Sequence, residues 1–288
     1  MLHTNENRAT LLLSCPDRPG IVAAVSNFLY SNNANIVQSD QYSTDPENGM
    51  FYMRVEFDLP NFDHSFLTIK KEFDPIAQTY EIEWRLASAK RMKRMAIFVS
   101  KEDHCLLELL WKWRAGELFV DIPLVISNHS DLQQTVESYG IPFYYIPVSK
   151  ETKQEAEAKQ IKLIQDHDID FIVLARYMQI LSSDFVHQFP KQIINIHHSF
   201  LPAFIGANPY AKAFSRGVKL IGATAHYVTD DLDEGPIIEQ DVLRVNHRYT
   251  VEQLRVAGRN VERLTLSRAV AWHIEDRLIV FGNKTIVF

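Results

Sequence analysis

A chain of 288 residues, 46% hydrophobic and 23% charged, holds enough apolar mass to bury two cores of ordinary domain size. Its net charge of −6 and pI near 6.0 exclude the basic surface on which counterion-release binding to nucleic acid depends. Only Cys15 and Cys105 occur, too few for a disulfide framework or a four-thiolate zinc site, and no apolar stretch nears the roughly 20 residues that span a bilayer. With no basic and apolar leader at its start, the chain is expected to be soluble and cytoplasmic, with neither nucleic acid nor membrane as partner.

The apolar run from Ala9 to Ser14 predicts a strand, and CPDRPG after it is turn chemistry that opens a helix. In that helix Ile21, Val22, Val25, Phe28 and Leu29 share one face, and Asn32 and Asn33 stop it. A strand near Asn35 to Tyr42, a DPENG turn and a strand alternating Phe51, Met53, Val55 and Phe57 with Tyr52, Arg54 and Glu56 form a hairpin. A helix from about His64 to Ile76 and the alternating strand YEIEWRL complete the order βαββαβ. That order predicts a ferredoxin-like α+β sheet with both helices on one face. The first domain is expected over 1–87, a polar and basic linker SAKRMKR over 88–94, and a second domain over 95–288.

In the second domain the strands MAIFVS, IPLVIS, FYYIPV, DFIVLA and QIINIH alternate with helical stretches beginning at HCLLELL, HSDLQQT and KETKQEA. Such alternation predicts an α/β fold with a doubly wound, mostly parallel sheet. The segments VKLIGATAHYVT and IIEQDVLRV follow, joined by DDLDEGP, then a helix from about Thr250 to His273 and two short strands.

Ligands of open α/β sheets gather at the carboxyl ends of the parallel strands, which directs attention to QIINIHHSFLP. Strand alternation turns Asn195 and His197 to one side and His198 to the other. An amide and an imidazole side by side can hydrogen-bond a carbonyl oxygen as it becomes an oxyanion. The loop after His226 offers Asp230, Asp231, Asp233 and Glu234, and one carboxylate beside an imidazole can keep it protonated and orient or deprotonate a water. Taken alone, these residues better suit a satisfied core histidine, a strand-ending asparagine and a solvated acidic turn. Two adjacent histidines with a nearby aspartate suggest zinc, but neighbouring strand side chains diverge, so no metal is expected. No G-x-G-x-x-G follows the first strand, which disfavours a dinucleotide.

NIHHSFLPAFIGANPY followed by GATAHYVTDDLDEGPIIEQ resembles the folate-dependent formyltransferases, which share N-I-H-x-S-x-L-P and a G-x-T-x-H segment with an Asp seven residues after its His. The resemblance covers about residues 95–288 and implies Asn195, His197 and Asp233 as catalytic residues, with His226 and His198 in support. LARYMQILS is similar to the stretch that walls the pterin pocket, implying folate contacts from Arg176, Tyr177, Met178, Gln179, Ile180 and Leu181, with Thr229 and Asp230 on the acidic loop. The NPYAKAF segment is a weaker candidate for the substrate side.

CPDRPGIVAAVSNFL is similar to an ACT domain, implying a small effector, often an amino acid, at Asp17, Arg18, Pro19, Gly20 and Asn33, and a homo-oligomer built through paired ACT sheets. An equally good reading of DRPG is a tight turn and nothing more. No glycine lies between Met95 and Arg114, where nucleotide-formylating relatives cradle a phosphate on backbone N–H groups, and a tRNA acceptor is not expected. Joined to an ACT domain, the formyltransferase fold resembles the formyltetrahydrofolate deformylases. The implied activity is hydrolysis of 10-formyltetrahydrofolate to formate and tetrahydrofolate, supplying formate for purine synthesis and balancing one-carbon folate pools, with no cofactor beyond the folate substrate. The alternatives are a formyltransferase with an amine acceptor and an ACT-type sensor that binds folate without reacting.

Overall fold

The structure, a computed structural model, describes residues 6–45, 48–202 and 209–288. It divides into two compact units. In the first, β1 (Arg8–Pro16), α1 (Ile21–Ser31), β2 (Asn35–Ser43), β3 (Met50–Asp58), α2 (Phe62–Glu72), α3 (Asp74–Tyr80) and β4 (Glu83–Ser88) follow in order. The sheet runs β2-β3-β1-β4 with antiparallel pairings throughout, the expected ferredoxin-like order. Leu11 and Leu13 of β1, Met53, Val55 and Phe57 of β3, and Val25 and Leu29 of α1 form its core with Ile69 and Phe73. Pro46 and Glu47 of the DPENG turn lie outside the described residues, but β2 pairs with β3 as that hairpin requires.

The helix expected over 64–76 is instead two helices, with Pro75 in the first turn of α3. Proline lacks the N–H that would continue α2 but suits the start of a helix. Strand β4 begins at Glu83 rather than Tyr80, because α3 ends at Tyr80 and Glu81 turns the chain in the left-handed region, φ 56°.

In the second unit, β5 (Lys93–Val99), α4 (His104–Arg114), β6 (Val120–Ser127), α5 (Gln133–Glu137), β7 (Phe143–Tyr145), α6 (Lys153–Asp166), β8 (Phe171–Ala175), α7 (Ser183–Gln188) and β9 (Ile193–His197) give the alternating pattern. After them come α8 (Pro209–Arg216), β10 (Leu220–Tyr227), β11 (Ile237–Arg244), α9 (Val251–Ile274) and a hairpin of β12 (Leu278–Phe281) and β13 (Lys284–Val287). The large sheet runs β11-β10-β9-β8-β5-β6-β7, with β5 to β9 parallel and β10 antiparallel to both neighbours. The chain winds outward in both directions from β5 and β8, so a crevice opens at their carboxyl ends. Strand β8 is buried at every position, as a central parallel strand covered on both faces must be. Helices α7 and α8 were not expected from periodicity; Ser182 caps α7 by accepting from the Phe185 N–H.

The expected boundaries differ in two places. Strand β4 reaches Ser88 and β5 starts at Lys93, so the connector is four residues, 89–92. Glu275–Phe281 and Ile286–Phe288 belong to the first unit rather than the second. Buried Arg54 of β3 explains this, donating to the carbonyls of Glu275 (3.0 Å) and Asp276 (2.8 Å).

Candidate active site

Strands β9 and β10 pair antiparallel with Asn195 opposite His226 and His197 opposite Thr224. The Asn195 amide nitrogen lies 3.2 Å from His226 Nε2, and His226 Nδ1 lies 2.9 Å from the Tyr227 carbonyl. A carbonyl only accepts, so Nδ1 carries the proton, and in the neutral ring Nε2 accepts one N–H of the amide. The second N–H of Asn195 remains for another acceptor. Asp233 Oδ1 lies 3.7 Å from His226 Nε2.

Asp233 Oδ2 sits 3.2 Å from His197 Nδ1. This contact turns His197 so that its Nε2, buried and without a partner among the described residues, points away from the carboxylate. Asp233 adopts the left-handed conformation, φ 59°, which aspartate tolerates better than most residues. Gly235 lets the acidic loop close onto β10, since a Cβ there would stand 1.9 Å from the Tyr227 carbonyl oxygen. Burial alone would raise the Asp233 carboxyl, but hydrogen bonds and charge from His197, with His226 adding to them, hold it far below the usual carboxylate range.

Thr224, fully buried, gives the G-x-T-x-H segment a second function. Its hydroxyl donates to the Ser199 carbonyl (2.9 Å) and accepts from Leu201 N–H (3.0 Å) and Gln240 Nε2 (2.9 Å). The chain just past His197 and His198 is thereby tied to the neighbouring strand.

His198 stands one residue past the end of β9, its ring centroid 5.3 Å from that of His197. Its ring packs near Tyr210, centroids 6.1 Å apart, and borders an almost wholly apolar cavity of about 330 Å³ whose lining does not include Asn195, His197 or Asp233. Burial, then the charge of Arg176, pushes His198 down to about 4, so it is neutral near pH 7.

The stretch 176–182 at the end of β8 is irregular yet pinned at four points. Ser100 accepts from Met178 N–H (2.9 Å), Gln160 donates to the Tyr177 hydroxyl (3.0 Å), and Glu157 accepts from Ser182 N–H (2.9 Å). Arg176, left-handed at φ 63°, brings Nε to 3.4 Å from Glu262 Oε2, a charge pair rather than a hydrogen bond. Of the expected folate residues, Tyr177 and Leu181 pack into the core and the Arg176 side chain turns inward. Met178 (56% exposed) and Ile180 (62%) present apolar side chains outward, and Gln179 is half-buried. On the acidic loop, exposed Thr229 donates to the Asp231 carbonyl and Asp230 pairs with His187 at 2.5 Å.

Sequence reasoning missed Glu262, 1% exposed on α9. It accepts from Tyr210 (2.6 Å) and from His104 (2.9 Å). Gly258, one turn earlier, makes room for this, because a Cβ there would stand 1.9 Å from the Tyr210 oxygen. His104, Cys105 and Glu262 group closely enough to hold a cation. That set does not suit one: burial pushes the Cys105 thiol well up, and the carboxylate already faces Arg176, Tyr210 and His104.

At the expected effector site, Asp17 accepts from Ser43 and its N–H donates to the Gly49 carbonyl (2.8 Å). Arg18 donates to the Thr79 carbonyl and lies over Tyr80, and Pro19 leads to Gly20, left-handed at φ 98° ahead of α1. Asn33 is not brought there. It follows the other end of α1, about 16 Å away at 1.5 Å per residue, and Asn35 pairs with Asp58 beside Arg8, whereas Pro16 pairs with Met50.

A doubly wound, mostly parallel sheet that gathers an amide, an imidazole and a carboxylate where β9 ends carries groups suited to acyl transfer. Residues 93–270, more than half of the chain, match the formyl transferase family, and residues 9–63 match the ACT domain. The chain is 56% identical over 284 residues to the formyltetrahydrofolate deformylase of Bacillus subtilis, covering 99% of this chain and 95% of that one. It superposes on the crystal structure of a formyltetrahydrofolate deformylase from Pseudomonas syringae with a TM-score of 0.92 at 47% identity, covering 100% of this chain and 96% of that one. Glycinamide ribonucleotide transformylase 1 from Symbiobacterium toebii matches at TM-score 0.64 and 29% identity, over 68% of this chain and 94% of that one. The chain belongs to the formyltetrahydrofolate deformylase family.

Proposed function

We infer that the chain is a hydrolase that takes 10-formyltetrahydrofolate and water to formate and tetrahydrofolate. The observation that carries this reading is the convergence of Asn195, His197 and Asp233 in a chain similar to deformylases along nearly its whole length. The formyl oxygen is received by the free N–H of Asn195 and by Nε2 of His197. Water adds to the formyl carbon, the C–N10 bond breaks, and N10 leaves with a proton. Negative charge builds on the formyl oxygen, where two donors in a water-poor site stabilise it. A carboxylate held far below its usual range is a weak base. Asp233 therefore acts chiefly by sustaining the His197 imidazolium on Nδ1, while Oδ1 orients the water.

Water rather than an amine is the acceptor in this reading. The segment after β5 runs without glycine into α4, whose first residues, His104 and Cys105, are packed against Glu262 rather than left as an open phosphate cradle. The reaction needs no cofactor beyond the folate. Its products supply formate for purine synthesis and balance the one-carbon folate pools of the cytoplasm. No helix among the described residues is long and apolar enough to cross a membrane. The ACT domain binds an amino-acid effector at the Asp17–Gly20 turn, and its sheets pair copies of the chain into a homo-oligomer.

Purified protein incubated with 10-formyltetrahydrofolate and no amine tests the reading. Equal yields of formate and tetrahydrofolate are expected; tetrahydrofolate that appears only when an amine is supplied, with the formyl group recovered on that amine, or no turnover at all, contradicts it. Calorimetric titration with the common amino acids tests the effector separately, and no heat from any of them would remove it.

A further inference from the structure

Glu262 is the one acidic side chain of α9 that is almost wholly buried, yet it lies outside the trio that handles the formyl group. Burying a carboxylate is costly unless partners compensate it, and three do: Tyr210 from α8, His104 from α4 and Arg176 from the end of β8. Tyr210 and His104 hydrogen-bond the carboxylate, and Arg176 pairs with it by charge. That residue occupies a backbone region disfavoured for arginine, at the first position of the stretch proposed to wall the pterin. The other anchors of this stretch, Ser100, Gln160 and Glu157, reach Met178, Tyr177 and Ser182. Arg176 at its entry is held by charge.

We propose that Glu262 is a positioning residue for folate, fixing through the Arg176 guanidinium the turn that sets Met178, Gln179 and Ile180 against the pterin. His104 and Tyr210 hold the carboxylate in place, and Gly258 admits the tyrosine. Glu262 touches neither the formyl group nor the water, so its loss weakens the binding of substrate and transition state alike. Loss of such uniform binding raises KM and leaves kcat.

The inference rests on the folate reading, so the wild-type protein is assayed first; absence of formate release there overturns that reading. With wild-type activity in hand, Glu262→Gln is measured for kcat, KM, thermal midpoint and tetrahydrofolate affinity. A KM at least tenfold higher, weaker tetrahydrofolate binding to match and kcat within threefold of wild type are expected. Arg176→Met should raise KM similarly, and the double variant no further than the larger single effect, because both act through one contact. Should Glu262→Gln fail to fold, Arg176→Lys and Tyr210→Phe replace it, each expected to raise KM by severalfold at constant kcat. A folded variant with lowered thermal midpoint but unchanged KM and tetrahydrofolate affinity would mean a purely structural role and overturn the proposal. So would independent, multiplicative effects of Glu262→Gln and Arg176→Met.

Discussion

His226 Nε2 stands 3.2 Å from the amide nitrogen of Asn195 across the β9–β10 ladder. The contact settles which way the Asn195 amide faces, because His226 has committed its Nδ1 proton to the Tyr227 carbonyl. His226→Phe keeps a ring in this buried place but removes the acceptor, freeing the amide to turn. We expect kcat for formate release to fall about ten- to a hundredfold, equivalent to about 1.4–2.7 kcal/mol. Were His226 only packing, the variant would lose thermal stability with kcat unchanged.

Thr224→Val is nearly isosteric, yet it strips the buried Leu201 N–H of its hydroxyl partner. Unpaired groups of this kind cost about 1–3 kcal/mol. The thermal midpoint should drop by about 2–4 °C for each kcal/mol. Calorimetric scans of the two proteins decide it, and equal midpoints would mean that Thr224 does not tie down the chain after His198.

The neutral, half-buried His198 predicts a pH effect with a definite sign. Its folded pKa of about 4 lies below the ordinary value near 6.5, so the unfolded chain binds the proton more readily. The stability it contributes is complete above about pH 6.5 and is lost as pH falls toward 4, a change of roughly 3 kcal/mol. The charges acting on it from neighbouring elements are Arg176, Glu262, His197 and Asp233. Denaturant melts from pH 7 to 4 should show a shallower decline for His198→Gln than for the parent; equal slopes would contradict the burial argument.

The strand alternation of QIINIH was enough to place Asn195 and His197 together, because both lie within β9 and a strand of period two turns them to one side, whereas His198 stands past the strand end with its ring 5.3 Å from that of His197. Asp233 stood out from Asp230, Asp231 and Glu234 only through the resemblance to the formyltransferases, and neither the left-handed turn nor the close approach at Gly235 that deliver it to His197 could be read in advance. Glu262 and the anchors Glu157 and Gln160 were invisible for a common reason. Polar residues within charged helices such as KQEAEAKQIKLIQD read as solvated faces, and only the tertiary packing buries them. Pro75 was in plain view as a helix breaker, whereas the separation of Asn33 from the DRPG turn follows from the length of α1, and the C-terminal allegiance to the first unit depends on Arg54 finding two carbonyls far along the chain.

Asp233→Asn is the most direct trial of the chemistry. The amide keeps the size of the carboxylate but cannot hold a charged His197 ring. Single-turnover release of formate from 10-formyltetrahydrofolate should slow by at least about a hundredfold, while the affinity for tetrahydrofolate stays within threefold of the parent. Release at the parental rate by the folded variant would show that the carboxylate beside His197 takes no part in the reaction.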